Sequence, residues 1–210
     1  MSAPRPTRRA VLAFAAAAAA AAPARAAPNR PKVITMLGDS ITAGYGLPAA
    51  AALPNQLHLA LQRLGVANVV RGAGVSGDTT ADGLARVDFS IRPPTDLTIV
   101  ALGGNDLLQG VDPRRVRANL DGILARLQAR RIPVLLAGVR APVEIGGGYA
   151  REFNAVFASV AARHKAALFP DLLAGVARNR ALNQGDGIHP NAEGVRIIAA
   201  RLAPAVARAL

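Results

Sequence analysis

The sequence predicts an α/β fold in which helices cover both faces of a parallel β-sheet, and three observations support this prediction. Five short apolar runs, rich in β-branched residues, have the near-continuous hydrophobicity of strands that are buried on both faces. Longer stretches with helical spacing separate these runs, and successive β-α units form parallel sheets with right-handed crossovers. Polar, glycine-rich segments follow the strands, at the edge where ligands bind in this class of fold.

The predicted strands and helices alternate along the chain without an internal repeat or a linker. The strands span residues 33–37, 68–71, 97–102, 133–138 and, with the weakest pattern, 167–169. The helices span residues 49–64, 80–89, 113–130, 151–165 and 191–210. Pro204 lies inside the last helix and is predicted to kink or end it, because proline removes a backbone donor. We therefore expect a single domain over residues 27–210.

Residues 1–26 have the pattern of an export signal. A positive start precedes an apolar stretch and a small-x-small cleavage site; these features are Arg5, Arg8 and Arg9, then residues 11–22, then Ala24-Arg25-Ala26. The apolar stretch is too short to span a bilayer, which requires about 20 residues. The adjacent Arg8 and Arg9 favour a twin-arginine signal over an ordinary secretory signal. Either type predicts a periplasmic or secreted protein.

The composition excludes several classes of protein. The 210-residue chain is 51% hydrophobic and 18% charged, so it can bury a core. Its formal charge of +12 falls to +8 without residues 1–26, and the remaining arginines are scattered along helices. Aromatic residues make up only 3% and tryptophan is absent, which argues against nucleic-acid binding by base stacking. The absence of cysteine excludes thiol nucleophiles, disulfides and cysteine-ligated metals.

Four polar segments are predicted to meet at one edge of the sheet. They are Gly38-Asp39-Ser40, residues 72–79, Gly103-Gly104-Asn105-Asp106 and Asp186-Gly187-Ile188-His189-Pro190. Ser40 directly follows the first strand, where a serine serves either as a helix N-cap or as a nucleophile. A nucleophilic serine needs a neighbouring base.

Only one of the three histidines is a good candidate for that base. His58 lies on an apolar helix and His164 in a basic run, so we expect a packed structural role for the first and a solvated one for the second. His189 follows Asp186 by three residues in a turn, where the carboxylate can hold one ring nitrogen and leave the other as a base. A purely local role in the turn and helix cap is the alternative.

Asn105 and Gly77 are candidates for binding a developing oxyanion. Attack on an ester carbonyl places negative charge on oxygen, which preorganised donors must stabilise. The side chain of Asn105 and the N–H of Gly77, each expected on a loop after a strand, can converge with the N–H of Ser40. Both residue types also occur simply as tight-turn residues.

Two other ligand sites are disfavoured. Gly72-x-Gly74-x-x-Gly77 satisfies the dinucleotide-binding spacing, but the acid about 20 residues later, Asp96, precedes the third strand instead of following it. The possible metal ligands are too few for a metallophosphoesterase. We therefore expect neither a cofactor nor a metal.

Together, the four segments resemble those of the SGNH (GDSL) hydrolases, and most closely the bacterial periplasmic multifunctional thioesterase/lysophospholipase/arylesterase group. The resemblance runs from about Lys32 to the C-terminus and includes residues 149–154. It implies a three-layer, flavodoxin-like α/β/α sandwich with strand order 2-1-3-4-5 and no cofactor.

The resemblance also implies roles for individual residues. Ser40 would be the nucleophile, His189 the general acid/base and Asp186 its orienting carboxylate. The N–H groups of Ser40 and Gly77 and the side chain of Asn105 would form the oxyanion hole. The chain departs from the family in residues 107–110 and 144–148, which are expected to line an acyl groove; Leu107, Leu108 and Ile145 are the substrate-binding candidates.

The function expected is that of a monomeric serine ester hydrolase that acts through an acyl-enzyme on small ester or acyl substrates. Aryl esters, acyl thioesters and lysophospholipids are the substrates implied, without nucleic-acid partners or stable insertion into a membrane. Two alternatives remain open. One is a carbohydrate O-acetyl esterase, and the other is a periplasmic α/β domain that binds a ligand without chemistry.

Overall fold

The computed structural model describes residues 30–210, and the predicted export signal lies outside these residues. The sheet has five strands in the order β2-β1-β3-β4-β5, and each neighbouring pair is parallel. The strands are β1 (Lys32–Gly38), β2 (Asn68–Gly74), β3 (Leu97–Ala101), β4 (Val134–Ala137) and β5 (Ala167–Phe169). The predicted α/β class and the strand order 2-1-3-4-5 are confirmed.

Seven α-helices accompany the sheet within residues 30–210. They are α1 (Ser40–Ala43), α2 (Leu53–Arg63), α3 (Thr80–Ser90), α4 (Gly104–Leu108), α5 (Pro113–Ala129), α6 (Gly147–His164) and α7 (Ala192–Ala209). Helices α2 and α7 pack on one face of the sheet, and α3, α5 and α6 pack on the other. Successive side chains of a strand point to opposite faces of the sheet. Ile99 therefore packs on the side of α2 and α7, and Val100 packs on the side of α3, α5 and α6. The result is the expected three-layer sandwich.

Burial along the strands follows their position in the sheet. β3 and β4 are buried along their whole length, as expected for central parallel strands covered on both faces. β2 lies at an edge, and Val69 on it is 45% exposed. Edge exposure explains why the apolar pattern of this strand is weaker than that of the central ones.

Local signals in the sequence account for where several helices begin. Thr79 caps α3 in a capping box with Asp82, in which each side chain bonds the other residue's backbone N–H. Asp112 caps α5 and is followed by a proline, whose fixed φ suits the first helical position. Asn191 caps α7 through the N–H of Gly194.

Three helix predictions differ from the structure. The helix predicted over residues 49–64 is divided into a short 3-10 turn, Ala49–Ala51, and α2, with Pro54 in the first turn of α2. Helix α6 begins at Gly147, four residues earlier than predicted. The sequence pattern missed this start because the first two residues of the helix are glycines, which are poor helix formers. Pro204 does not end α7, which continues to Ala209, so that one of its two expected effects is wrong and a kink stays a prediction.

Strand β2 extends three residues beyond its predicted end and includes two of the glycines that imitate a dinucleotide motif. A Cβ atom on Gly74 would lie 2.3 Å from the backbone nitrogen of Ala43 in α1. The glycine is therefore required by the close packing of α1 against β2. Within residues 30–210, none of the helices combines the length and apolar character needed to cross a membrane.

Candidate active site

Ser40 is placed at the carboxyl end of β1 as the first residue of α1. The helix is capped by its neighbour Asp39, whose Oδ1 accepts the N–H of Ile41 at 3.0 Å. The alternative role of Ser40 as an N-cap is therefore wrong, and its hydroxyl is available for another partner. Ser40 is 8% exposed and faces a groove at this edge of the sheet.

That partner is His189, which in turn bonds Asp186. The Oγ atom of Ser40 lies 2.9 Å from His189 Nε2, and His189 Nδ1 lies 2.6 Å from Asp186 Oδ2. An ionised carboxylate only accepts hydrogen bonds, so Nδ1 carries the proton in this pair. In the neutral imidazole Nε2 is then unprotonated and accepts from the serine hydroxyl. The arrangement can remove a proton from Ser40.

The turn that contains Asp186 holds its carboxylate in place. Oδ1 accepts the N–H groups of Ile188 at 2.9 Å and His189 at 3.0 Å, while Oδ2 faces the ring. The hydrogen bond from the His189 side chain, followed by these backbone bonds, lowers the pKa of Asp186 to about 2. One oxygen is thus bonded within the turn and the other is bonded to the imidazole, and the carboxylate is ionised at neutral pH.

Two residues that the sequence analysis did not identify also contact this turn. The ring of Tyr45 lies 4.6 Å from the His189 ring, centre to centre, and is tilted by 37°. The side-chain amide of Gln184 donates to the carbonyls of Tyr45 at 2.8 Å and Pro190 at 3.0 Å. Gly46, beside Gln184, has a φ of +71°, in the region that favours glycine. No local pattern reveals these contacts, because they join distant segments.

The sequence predicts Asn105 in a loop, but the residue lies in the first turn of α4. Its Nδ2 donates to the carbonyl of Asp78 at 2.8 Å, and the residue lines the same groove as Ser40. The next residue, Asp106, is buried and accepts both the N–H of Thr80 at 2.8 Å and its hydroxyl at 2.6 Å. These bonds attach α4 to the start of α3 and so determine where the Asn105 amide lies.

Gly77 occupies the loop between β2 and α3, directly before the Asp78 carbonyl that Asn105 bonds. It has a φ of +90°, in the region that favours glycine. No acceptor for its backbone N–H is found among residues 30–210. The same is true of the N–H of Ser40 within this described part of the chain. Gly77 is not among the residues that line the groove.

The groove beside Ser40 has a volume of about 650 Å³ and a mainly apolar lining. Apolar side chains from four segments contribute to it: Leu107, Leu108, Val139, Val143, Leu173 and Ile188. Leu107 and Leu108 thus lie where they were expected. Ile145 does not line the groove; it is 49% exposed at the end of a short turn, Val143–Ile145, and Val143 takes that place. Val139, shortly after β4, and Leu173, shortly after β5, were not identified from the sequence, which has no periodic pattern there.

Asp39 is an unusual acid beneath the site. Burial raises its pKa to about 6, although the hydrogen bond from Ile41 acts in the opposite direction. It lines the groove next to Ser40. A carboxyl group in this position changes its charge close to neutral pH.

The other two histidines have partners elsewhere. His58 Nδ1 lies 2.9 Å from Asn68 Oδ1, consistent with a structural role. The prediction that His164 is solvated is wrong, because its side chain is only 12% exposed. Its Nε2 lies 3.0 Å from Asp121 Oδ1, and its Nδ1 lies 2.8 Å from Gln128 Oε1. Among residues 30–210, no group of three or more histidine, cysteine, aspartate or glutamate side chains is arranged to hold a metal ion.

Comparison with known proteins identifies the family of the chain. The model of the GDSL-like Lipase/Acylhydrolase family matches residues 36–197. The chain is 36% identical over 160 residues to Esterase TesA of Pseudomonas aeruginosa, covering 76% of this chain and 80% of that protein. It is 34% identical over 168 residues to Thioesterase 1/protease 1/lysophospholipase L1 of Escherichia coli K12, covering 79% of each. It is 31% identical over 169 residues to an arylesterase of Vibrio mimicus, covering 80% of this chain and 84% of the relative.

Solved structures have the same fold. The crystal structure of TesA superposes with a TM-score of 0.80 at 33% identity, covering 85% of this chain and all of that one. AlinE4, an SGNH-hydrolase family esterase, superposes with a TM-score of 0.73 at 44% identity, covering 88% of this chain and 99% of that one. The chain therefore belongs to the GDSL-like lipase/acylhydrolase family and is a carboxylic ester hydrolase.

Proposed function

We propose that this protein hydrolyses carboxylic esters through an acyl-enzyme formed on Ser40, with His189 as the general acid/base and Asp186 as its orienting carboxylate. One observation carries the proposal: the hydrogen bonds from Ser40 to His189 and from His189 to Asp186, at 2.9 and 2.6 Å. A serine hydroxyl is unreactive unless a base accepts its proton, and this chain of contacts supplies that base.

In the acylation step, Ser40 Oγ bonds to the carbonyl carbon of the ester while its proton moves to His189 Nε2. The carbonyl π electrons move to oxygen, and the resulting oxyanion accepts hydrogen bonds from the N–H groups of Ser40 and Gly77 and from Asn105. When the carbonyl re-forms, the bond to the leaving alcohol or thiol breaks. The leaving group takes the proton from His189, which leaves an acyl ester on Ser40.

Deacylation repeats the same sequence with water. His189 accepts a proton from the water as the water oxygen attacks the acyl carbonyl, and the same donors stabilise the second oxyanion. The bond to Ser40 Oγ then breaks, the carboxylic acid departs, and the proton returns from His189 to the serine. The ionised Asp186 stabilises the imidazolium in both steps, which is consistent with its lowered pKa.

The groove supports substrates with an apolar acyl chain. Its lining by Leu107, Leu108 and Val143 favours hydrocarbon over a sugar ring, because sugar hydroxyl groups would lose hydrogen bonds to water there. Aryl esters, acyl thioesters and lysophospholipids are therefore the proposed substrates. A carbohydrate O-acetyl esterase is the second candidate within the same chemistry, and a binding domain without chemistry is the non-enzymatic one.

The cellular setting belongs to the same proposal. The pattern of residues 1–26 supports export, and the enzyme would act as a monomer in the periplasm or outside the cell. Its substrates would be small ester or acyl molecules. Neither nucleic-acid binding nor stable insertion into a membrane is part of the proposal.

The test is hydrolysis of p-nitrophenyl esters by the wild type and by Ser40→Ala, together with labelling by an organophosphonate that phosphonylates reactive serines. We expect turnover and labelling by the wild type and neither by Ser40→Ala. Ser159→Ala is the matched control, because this serine lies in α6 and bonds Arg117. Turnover by Ser40→Ala at the wild-type rate would contradict the proposal. A series of acyl-chain lengths, compared with acetylated xylan, distinguishes the two esterase classes.

A further inference from the structure

Arg86 in α3 binds several chain segments near the candidate active site. Its side chain is 19% exposed, and its guanidinium donates four hydrogen bonds. The acceptors are Asp78 Oδ2 at 2.5 Å, the carbonyl of Ala73 at 2.9 Å, Ser90 Oγ at 2.9 Å and the carbonyl of Gly38 at 2.8 Å. An arginine that donates four hydrogen bonds within the fold holds chain segments together and does not merely add charge to the surface.

Two of these acceptors border the proposed oxyanion donors. Gly38 ends β1, two residues before Ser40. Asp78 follows Gly77 directly, and its carbonyl is the acceptor for the Asn105 side chain at 2.8 Å. One guanidinium therefore connects the end of β1 to the loop that carries Gly77 and orients Asn105.

Arg86 also compensates a charge. Asp78 is only 8% exposed and directly follows Gly77 in the chain, so its carboxylate is a nearly buried charge beside a proposed oxyanion donor. An unpaired negative charge there would oppose the oxyanion that the reaction creates, because interactions between charges are strong where water is excluded. The ion pair with Arg86 removes that opposition.

We propose that Arg86 is a positioning residue for the oxyanion hole: it holds the loop of Gly77 and Asp78 against the end of β1 and neutralises the Asp78 carboxylate. The inference rests on the proposed function, since it assigns a support to the donors named there. Lysine cannot replace it fully, because an ammonium group is a compact donor and does not have the planar fork that reaches several acceptors at once.

The first part of the test is steady-state kinetics of Arg86→Met and Arg86→Lys on a p-nitrophenyl ester. We expect kcat to fall about 100-fold in Arg86→Met, the size of effect that a displacement of about 1 Å has on a preorganised site. KM should stay within about threefold, because the donors act mainly in the transition state. The kcat of Arg86→Lys should lie between that of Arg86→Met and that of the wild type. Arg126→Met is the control, since Arg126 donates to Leu84 and Asp88 on the same helix α3.

The second part separates positioning from a general loss of structure. Combined with Asn105→Ala, Arg86→Met should lower kcat by much less than it does alone, because one of the donors that it supports is already absent. Arg86→Met with Asp78→Asn should recover part of the loss, because no unpaired carboxylate remains. Thermal unfolding is measured for every variant, and Arg86→Lys replaces Arg86→Met in these pairs if the latter does not fold.

The outcomes distinguish this inference from the proposed function. A kcat for Arg86→Met equal to that of Arg126→Met overturns the role of Arg86, as does an equal loss in the presence and absence of Asn105. Loss of activity in Ser40→Ala alongside either result leaves the proposed function intact. Activity of Ser40→Ala at the wild-type rate overturns both.

Discussion

Ser40 Oγ and His189 Nε2 lie 2.9 Å apart although 149 positions separate the two residues in the chain. Ser40 follows β1, and His189 belongs to the turn that precedes α7. Both segments reach the carboxyl edge of the sheet, where ligands bind in folds of this kind. The contact therefore depends on the packing of α7 against the sheet as well as on the two residues.

Replacement of Asn105 tests the oxyanion donors. We expect Asn105→Ala to lower kcat about 100-fold or more, equivalent to about 3 kcal/mol in the barrier, with KM nearly unchanged. Steady-state kinetics on p-nitrophenyl butyrate measures both parameters. Asn55→Ala is the control, because Asn55 is exposed in α2 and bonds only the carbonyl of Ala49 among the described residues. An unchanged kcat would remove Asn105 from the mechanism.

Replacement of Asp186 tests the orientation of the imidazole. Asp186→Asn should lower kcat by roughly 10³–10⁴-fold, because an amide in this position favours the wrong tautomer of His189. The chain contains a matched control in Asp121, which bonds His164 at 3.0 Å. Asp121→Asn should have the kcat of the wild type. Similar losses in both variants would show that the effect does not arise at the active site.

The contact between Tyr45 and His189 predicts a graded effect. An aromatic pair contributes about 0.5–1.5 kcal/mol, so Tyr45→Ala should lower kcat by up to about tenfold through a less restrained imidazole. Tyr45→Phe keeps the ring and should retain nearly the full rate. A loss in Tyr45→Phe as large as in Tyr45→Ala would assign the effect to the hydroxyl group and contradict this explanation.

The raised pKa of Asp39 predicts a dependence of stability on pH. Because burial raises the pKa from 3.8 to about 6, the folded state binds this proton more tightly than the unfolded state does. The contribution of Asp39 to stability is therefore complete below about pH 4 and is lost as the pH rises to about 6, a change of up to about 3 kcal/mol. Urea unfolding of the wild type and Asp39→Asn at several pH values measures the difference.

Asn at position 39 keeps a side-chain oxygen that can accept from Ile41, so the variant retains the helix cap. We expect the stability of Asp39→Asn relative to the wild type to increase between pH 4 and 6. A constant difference across that interval would mean that the Asp39 pKa is not raised.

Val143 and Ile145 provide a test of the acyl groove within one short turn. Val143 lines the groove and Ile145 does not. Val143→Asp should lower kcat/KM for an octanoate ester far more than for an acetate ester, because each buried CH₂ contributes about 0.8 kcal/mol. Ile145→Asp should leave the ratio of the two substrates unchanged. A change in that ratio in Ile145→Asp but not in Val143→Asp would place the acyl chain elsewhere.

Much of the fold and part of the candidate site could be predicted because they depend on neighbouring residues. The apolar runs of β1 and β3 located these strands to within a residue at each end. The spacing of Asp186 and His189 predicted their contact, since a tight turn brings residues three apart together. Capping residues such as Thr79 and Asn191 mark where α3 and α7 begin.

Other features could not be predicted because their causes lie far away in the chain. Asn105 was expected in a loop, yet it lies in α4, whose Asp106 bonds Thr80 at the start of α3, 26 positions away. The contact of Gln184 with Tyr45 spans 139 positions, and that of Arg86 with Gly38 spans 48. None of these pairs has a spacing or composition that a linear pattern would reveal.

The sequence by itself determined the α/β class, the order of strands and helices along the chain, and the identity of the serine, histidine and aspartate that are joined by hydrogen bonds. Only the tertiary structure decided that Asp39 and not Ser40 caps α1, that Val143 and not Ile145 lines the groove, and that Arg86 bonds both Gly38 and Asp78. The physical reason is that backbone conformation and burial follow from residues close in the chain. Contacts between side chains depend instead on how whole elements pack together.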